Sequence, residues 1–307
     1  MNNSTPFPRI LVTGCYGQLS WELRRSLQCL GDVVALGCKD LDLFDTAAIR
    51  TVVRELKPQL IVNAAAYTAV DKAESEPDLA RALNATAPAV LAESALAVGA
   101  MLLHYSTDYV FDGKSQRPYQ ESDETNPQSV YGQSKLDGEL AIIDSGVQHL
   151  ILRTSWVYGM RGNNFLLSIL RLAREREEIR VVDDQIGAPT WSRSVAEATS
   201  QILNQHFAPG QIGTEAGGDD LRLNKIYNLT AGGRTSWYGF ARTFIDLAIE
   251  HGEVMALQRL VPITTAEYPT RAIRPAFSLL CCDRLADAYG VRLPDWRTSL
   301  DLVMEAA

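Results

Sequence analysis

Short apolar runs alternate with longer segments of helical periodicity through the first half of the chain. The run Arg9–Thr13 has the pattern of a buried strand, and leucines recur at helical spacing from Gln18 to Leu30. The alternation continues with predicted strands at Val33–Leu36, Leu60–Val62, Met101–Tyr105 and Leu150–Arg153, and predicted helices at Ala47–Leu56, Leu79–Val98 and Val130–Ile143. This predicts an α/β fold, a doubly wound parallel sheet of the Rossmann type, whose ligands lie beyond the carboxyl ends of the strands.

The pattern becomes less regular in the second half of the chain. It predicts helices at Phe165–Arg174, Val195–His206 and Tyr238–Ile249, and strands at Ile179–Val182 and Ile226–Leu229. Residues 209–220 have the composition of a surface loop. We expect a dinucleotide-binding domain over residues 1–160, to which segments 186–206 and 224–249 return, and a smaller substrate-binding lobe over residues 161–185 and 250–307.

Composition and charge narrow the function. The chain has 307 residues, and a net charge of −8 argues against a nucleic-acid partner, which would need a basic face. The polar start and the lack of an apolar run of about 18 residues argue against secretion and membrane insertion, so we expect a cytoplasmic protein. The five cysteines lack the paired spacings of zinc sites, which predicts free thiols.

A glycine turn follows the first predicted strand. Gly14 and Gly17, with Gln18 and Leu19 after them, stand where backbone N–H groups can approach a pyrophosphate at the start of a helix. Ser20 occupies the place where many such turns carry a third glycine. The position of the two glycines directly after the strand favours a nucleotide-binding turn over an ordinary connection.

The end of the second predicted strand bears on which nicotinamide cofactor binds. Gly37 stands there instead of the acid that would hold the ribose 2′-hydroxyl of NADH, and Lys39 follows close by. This favours NADPH and leaves NADH possible, with a solvated loop lysine as the alternative for Lys39. Further along, Asp42 and Leu43 could meet the adenine, and small residues lie within Ala64–Thr68, beside the path of the cofactor.

Three residues predict the chemistry of a reductase. Tyr131 and Lys135 are four residues apart on a predicted helix, so they share one face. We expect the ammonium to lower the pKa of the phenol, so that Tyr131 can give a proton to a carbonyl oxygen, and to reach the nicotinamide ribose. Thr107, at the end of a predicted strand, would orient that carbonyl and stabilise its developing charge.

Two neighbouring residues are candidates for binding a sugar. The carboxylate of Asp108 could accept a sugar hydroxyl, or it could serve as a turn or cap residue. Trp156 follows a predicted strand and could form a flat wall for a sugar ring, or it could be a core residue.

Together these motifs resemble the dTDP-4-dehydrorhamnose reductases, within the extended short-chain dehydrogenase/reductases. The resemblance covers nearly the whole chain through Asn63–Glu74, His104–Phe111, Arg153–Tyr158, Asp184–Thr190 and Tyr268–Pro275. It implies reduction of the C4 ketone of dTDP-4-dehydro-β-L-rhamnose by a nicotinamide cofactor. That reaction is the last step in making dTDP-L-rhamnose for surface polysaccharide.

The resemblance also implies roles for individual residues. Thr107, Tyr131 and Lys135 match the catalytic trio, and Asp108 and Trp156 match the sugar contacts. The cofactor contacts that match are Gly17, Gln18, Leu19, Asp42, Leu43, Ala66, Tyr67, Thr68 and Tyr105.

Two features of the family bear on the diphosphate and on assembly. Arg271 and Arg274 would face the diphosphate of the nucleotide, or be solvated surface charges. Some members form magnesium-linked homodimers through glutamates. Glu22 matches one of these positions, but Arg193 stands where a second glutamate is expected, which puts magnesium in doubt here.

Other reactions on this fold remain to be weighed. Dehydratases of this fold need a second acid two positions after the threonine, and Tyr109 stands there, which argues against elimination. A 4-ketoreductase that forms the talose epimer stays open, because the sequence does not fix the face of the ring that is reduced. A non-catalytic nucleotide-binding subunit also stays open, although the intact trio argues against it.

Overall fold

A computed structural model gives the structure of residues 7–207 and 220–305. The predicted loop over residues 209–220 therefore falls outside the described residues, apart from Asp220. The strands are β1 Arg9–Thr13, β2 Asp32–Leu36, β3 Leu60–Asn63, β4 Met101–Thr107, β5 His149–Thr154, β6 Val157–Tyr158, β7 Glu178–Val182, β8 Ile186–Gly187, β9 Thr190–Trp191, β10 Lys225–Asn228, β11 Thr235–Ser236 and β12 Arg259–Ile263.

Helices connect most of these strands. They are α1 Gln18–Ser26, α2 Thr46–Leu56, α3 Val70–Ala73, α4 Pro77–Arg81, α5 Ala87–Val98, α6 Val130–Asp144, α7 Phe165–Glu175, α8 Ser192–Phe207, α9 Trp237–Glu250, α10 Asp283–Tyr289 and α11 Trp296–Glu305. A π-helical turn, Ala82–Thr86, joins α4 to α5, and short 3-10 helices lie at Asp108–Val110 and Thr265–Glu267.

The central sheet has six parallel strands in the order β10-β5-β4-β3-β1-β2. Alternate residues of each strand face opposite sides, so one strand contributes to two apolar clusters. Ile10 and Val12 pack with α1 and α8, whereas Leu11 packs with α2 and α5. The sheet is thus covered by helices on both faces, as predicted for a doubly wound fold.

Several predicted elements differ in extent from the observed ones. The first helix ends at Ser26 and not at Leu30, because the chain turns to bring Gly31 against the carbonyl of Pro8. The single helix predicted at Leu79–Val98 begins at Pro77 and contains the π-helical turn. The strand predicted to end at Tyr105 continues to Thr107.

A second apolar core forms beside the sheet from α7, α9, α11 and β7. The predicted domain boundaries stay a prediction, but the packing bears on them. Strand β10 joins the central sheet, whereas α9 packs into the second core and α10 packs back against the sheet. Within the described residues, no helix is both long and apolar enough to span a membrane.

Candidate active site

A cavity of about 720 Å³ lies at the carboxyl ends of the central strands and reaches the second core. Most of the residues predicted for the site line it. These are Gly14, Gly17, Gln18, Leu19, Asp42, Leu43, Ala66, Thr68, Tyr105, Thr107, Asp108, Tyr131, Lys135, Trp156 and Arg274.

Four predicted residues do not line this cavity. Lys39 and Arg271 are exposed outside it. The Tyr67 hydroxyl donates a hydrogen bond to Glu76 at 2.6 Å. Glu22, the fourth, forms an ion pair with Arg193.

The glycine turn packs closely against the segment that follows β3. Gly14 has φ +73°, and a Cβ there would lie 2.9 Å from Cα of Ala65. The N–H of Gly17 donates to the carbonyl of Gly14 at 2.8 Å. The hydroxyl of Ser20 is fully buried and donates to the carbonyl of Thr13 at 3.1 Å, so it secures the turn to β1.

Gln18 connects this turn to the far wall of the cavity. Its Nε2 donates to the carbonyl of Val157 at 2.9 Å, and its Oε1 accepts from Asn164 at 3.2 Å. Asn164 also caps α7 by accepting from the N–H of Leu167. One side chain therefore joins the glycine turn to α7, the first helix of the second core.

Helix α6 presents Tyr131 in its first turn. Ser129 caps the helix by accepting from the N–H of Gly132 at 3.1 Å, and Glu74 accepts from the N–H of Val130 at 2.8 Å. The Tyr131 ring meets Tyr109 edge to face, with centroids 5.4 Å apart. These contacts fix the direction of the phenol.

The phenol of Tyr131 is a proton donor at neutral pH. Burial raises its pKa, and a hydrogen bond with Thr107 acts in the opposite direction. The Thr107 hydroxyl donates to Asp108 Oδ1 at 3.0 Å and accepts from the N–H of Tyr109 at 3.2 Å. Thr107 therefore lies beside the phenol, with its hydroxyl proton directed to Asp108 Oδ1.

Lys135 is almost fully buried and is held from β4. Its Nζ donates to the carbonyl of Tyr105 at 2.6 Å and lies 3.0 Å from His104 Nε2. Burial lowers the pKa of Lys135 to about 8, and the charge of Glu139 acts in the opposite direction. The prediction that Lys135 lowers the pKa of Tyr131 is wrong for this structure, because burial dominates and the pKa of the phenol is raised.

Asp108 is a buried carboxyl group that titrates near neutrality. Its side chain is 3 % exposed, and burial raises its pKa to about 7. The hydrogen bond from Thr107 opposes this shift. Because it borders the cavity, Asp108 can accept a hydrogen bond from a sugar hydroxyl that enters.

Trp156 forms a wall of the cavity in a constrained conformation. Its φ of +48° lies in the left-handed region, which a bulky residue adopts at a cost. Its ring stacks on Trp237 with centroids 3.5 Å apart, and a Cβ on Gly187 would lie 2.4 Å from it. The half-buried ring thus belongs to the cavity wall more than to a closed core.

Of the two arginines predicted to bind the diphosphate, Arg274 is the one that reaches the cavity. Its Nη2 donates to Asp71 Oδ2 at 2.7 Å, and Asp71 Oδ1 accepts from the N–H of Ala272 at 3.2 Å. It also bonds to the phenol of Tyr109. These contacts fasten its segment across the cavity mouth.

Several residues of the site carried no signal in the sequence. Asn84, in the π-helical turn, accepts from the N–H of Tyr67 at 2.8 Å and donates to Ser134 of α6 at 3.0 Å. Three buried hydroxyls that line the cavity have no hydrogen-bond partner among the described residues and are free for a ligand: Ser106, Thr154 and Ser155. A position at the carboxyl end of a parallel strand is the feature that these three hydroxyls share.

The residues near Glu22 do not fit a magnesium ion. Arg193 Nε lies 3.3 Å from Glu22 Oε2, so a cation already faces this carboxylate. The same guanidinium lies 4.9 Å from the ring centre of Trp191. No group of three or more His, Cys, Asp or Glu side chains is placed to hold a metal anywhere in residues 7–207 or 220–305.

Comparison with known proteins agrees with this geometry. The family model described as RmlD substrate binding domain matches residues 8–307. A dTDP-4-dehydrorhamnose reductase of Burkholderia thailandensis is 46 % identical over 96 % of this chain and 97 % of its own length. The chain therefore belongs to the RmlD substrate-binding-domain family.

Solved structures confirm the predicted Rossmann-type α/β fold. A dTDP-4-dehydrorhamnose reductase of Clostridium acetobutylicum superimposes with a TM-score of 0.87 at 34 % identity, covering 97 % of this chain and 99 % of that one. One from Bacillus anthracis, solved in complex with NADP, has a TM-score of 0.85 at 33 % identity, covering 98 % of this chain and all of that one.

Proposed function

We propose that this member of the family reduces the C4 ketone of dTDP-4-dehydro-β-L-rhamnose to dTDP-β-L-rhamnose, the last step of dTDP-L-rhamnose synthesis. The observation that carries the proposal is the convergence of Thr107, Tyr131 and Lys135 on the cavity that also contains the glycine turn. The close relative from Burkholderia thailandensis is named for this activity.

The cavity fits a nicotinamide dinucleotide. The backbone of Gly14 and Gly17 would hold the pyrophosphate, and the half-buried Ala64–Ala66 leaves room beside it. Asp42 and Leu43 lie where the adenosine end would bind. When bound, the reduced nicotinamide supplies the hydride.

The chain itself supplies the proton and the orientation. Thr107 and Tyr131 both line the cavity, where they would meet the ketone oxygen as it gains negative charge during reduction. Tyr131 donates its phenolic proton to that oxygen, and the phenolate that remains regains a proton from solvent. Lys135 lines the same cavity, where its ammonium would bind the nicotinamide ribose.

The substrate-binding residues fit a charged sugar nucleotide. Asp108 accepts a sugar hydroxyl, and the stacked ring of Trp156 provides an apolar surface for the ring. Arg274 offers a half-buried guanidinium to the diphosphate, a group that guanidinium binds in a bidentate manner. Arg271 is exposed outside the cavity, so we assign the diphosphate to Arg274 alone.

NADPH is the cofactor that we propose, with NADH as the alternative. Gly37 carries no side chain, so this strand end offers no carboxylate to the ribose hydroxyls of NADH. Lys39, on the exposed turn that follows, is free to meet a 2′-phosphate. The relative from Bacillus anthracis was solved with NADP.

We further propose that the enzyme works without magnesium, since Arg193 pairs with Glu22. The homodimer and the cytoplasmic location stay predictions.

Turnover by the purified protein tests the proposed function. The assay follows the loss of near-ultraviolet absorbance of NADPH, or of NADH, with enzymatically prepared dTDP-4-dehydro-L-rhamnose and a chelator present. We expect substrate-dependent oxidation that the chelator does not reduce, faster with NADPH. Absence of turnover with both cofactors would favour another sugar or a regulatory subunit, and a need for added magnesium would refute the metal-free proposal alone.

A further inference from the structure

A row of buried polar side chains crosses the central sheet below the cavity and ends at Lys135. Thr13 of β1 is opposite Asn63 of β3, and Asn63 is opposite His104 of β4. All three side chains are at most 1 % exposed. Apolar residues fill most of the interior around them, so this row departs from the pattern of the sheet.

Hydrogen bonds join the row from end to end. Thr13 Oγ1 lies 2.6 Å from Asn63 Oδ1, and Asn63 Nδ2 lies 3.0 Å from His104 Nδ1. His104 Nε2 lies 3.0 Å from Lys135 Nζ. A buried polar group costs free energy unless it is paired, and every member of this row is paired.

The imidazole in this row is neutral. Burial and the charge of Lys135 both lower the pKa of His104 well below its usual value. A neutral imidazole has one donor and one acceptor nitrogen, so only one of the groups facing the ring can donate to it. When Lys135 is an ammonium, Nε2 must be the acceptor, and Nδ1 must donate to the Asn63 amide oxygen.

The Asn63 amide can satisfy this requirement by turning over. Its oxygen then accepts from His104 Nδ1, and its nitrogen donates to the hydroxyl of Thr13, so the two amide atoms exchange partners. When Lys135 is a neutral amine, the opposite orientation holds, and Nε2 donates to the amine. The charge of Lys135 and the tautomer of His104 are therefore linked.

Other groups facing Lys135 do not replace this contact. The carbonyl of Tyr105 takes one of its three donors. Glu139, one turn along α6, is held by Arg153 of β5 through two bonds of 2.9 and 2.6 Å, which offsets its charge. Tyr131 presents a neutral phenol. His104 is the neighbour that meets the ammonium with an unshared acceptor.

We propose that His104 is a positioning residue for Lys135, whose ammonium it holds through Nε2 while Asn63 and Thr13 fix the ring against the strand that carries the glycine turn. The inference deepens the proposed function, because Lys135 has a catalytic role only there. The Tyr105 carbonyl and His104 occupy two of the three donors of the ammonium, which leaves one for a ligand in the cavity that Lys135 lines.

The pH profile of kcat tests the proposal, through the position of its alkaline limb. His104→Leu removes the acceptor, which destabilises the ammonium. We expect the limb to move acidward by about one pH unit or more, as loss of a hydrogen bond to a charged group implies. His104→Gln offers an amide oxygen near Nε2 and should restore the limb. His149→Leu is the matched control, since this 4 % exposed histidine begins the neighbouring strand and its ring bonds, within the part of the chain that the structure describes, to the carbonyl of Val147.

A wild-type limb in His104→Leu, or a shift of equal size in His104→Gln, would overturn the proposal. Nitrogen NMR of the imidazole in the unliganded wild-type protein is the second measurement and needs neither a variant nor turnover. Well below pH 8 it should show a protonated Nδ1 and a bare Nε2, and the tautomer should change as Lys135 titrates. A protonated Nε2 throughout would refute the role of His104 even if the enzyme is active, whereas lack of turnover with the expected tautomer would refute only the proposed function.

Discussion

At the scale of single residues, Asp108 shows how the site can work against the stability of the fold. Its carboxyl group is buried beside Thr107, and its pKa is raised to about 7. Between the usual pKa of the group and this value, the folded state binds more protons than the unfolded state. Its contribution therefore lowers stability as the pH rises through that window.

Asp108→Asn should stabilise the unliganded protein above about pH 7 by as much as roughly 4 kcal/mol and have little effect near pH 4. The amide can still accept from Thr107. The same variant should lower kcat/KM, because a carboxylate is the better acceptor for a sugar hydroxyl. Thermal unfolding at both pH values checks the first effect, with the exposed Asp144→Asn as control. Equal stabilisation at both values would contradict the buried-carboxylate account.

Tyr131→Phe removes the proton donor and leaves the ring packed against Tyr109. We expect kcat to fall by at least about a hundredfold, while the Kd for NADPH stays close to that of the wild type. Steady-state kinetics and a fluorescence titration of the cofactor measure the two quantities. Near-normal turnover would remove Tyr131 from the mechanism.

Lys39→Ala should raise the Kd for NADPH about tenfold more than the Kd for NADH. Only NADPH carries the 2′-phosphate that this lysine would meet. Lys39 is exposed on the turn after Gly37, so the substitution should not disturb the fold. Kd values for both cofactors, with Lys114→Ala as a remote exposed control, are the measurement. Equal loss for the two cofactors would place the 2′-phosphate elsewhere.

The sequence predicted individual residues well where spacing determined their place. Tyr131 and Lys135 share a helix, and Thr107 lies two residues after the predicted end of a strand, so both placements followed from local pattern. His104, Asn84 and Trp237 were missed because their contacts join segments far apart in the chain.

At the scale of elements, helix α6 packs unusually close to its neighbours. A Cβ at Gly132 would lie 2.2 Å from the carbonyl of Tyr109, and one at Gly138 would lie 2.1 Å from the carbonyl of Asn84. These two glycines thus let the backbone of α6 approach both the π-helical turn and the turn after β4. This close packing sets the depth of Tyr131 and Lys135.

Gly138→Ala should lower the free energy of unfolding by about 1–3 kcal/mol or more, because backbone atoms must shift to admit the methyl group. Its effect on kcat should also be measurable, since α6 carries both candidate catalytic side chains. Chemical denaturation checks the change, with Gln133→Ala on the exposed face of the same helix as control. Unchanged stability would show that α6 can move away freely.

Element types were predictable, but some of their ends were not. Hydrophobic periodicity predicted the helix around Leu79–Val98 but not its π-helical turn. Asn84 lies in that turn and makes buried hydrogen bonds there. The extension of β4 to Thr107 depends on pairing with β5, where Thr107 is opposite Thr154. Such pairing is a tertiary feature that a local pattern does not contain.

At the scale of the whole molecule, the cavity lies where the sheet and the second core meet. The Trp156–Trp237 stack and the Gln18–Asn164 bond join the two sides. The location beyond the strand ends followed from the fold class, as in other open α/β sheets. The fold class did not predict whether α9 and α10 pack against the sheet or in the second core. Nothing in the local sequence of either helix indicates which core it joins.

The most direct test of the central claim follows one hydrogen atom. The wild-type protein is incubated with dTDP-4-dehydro-L-rhamnose and NADPH that carries deuterium at both C4 positions of the nicotinamide, and the product is examined by NMR. The account predicts dTDP-L-rhamnose with a single deuterium at C4 of the sugar. The talose epimer, or a product without deuterium at that carbon, would contradict it.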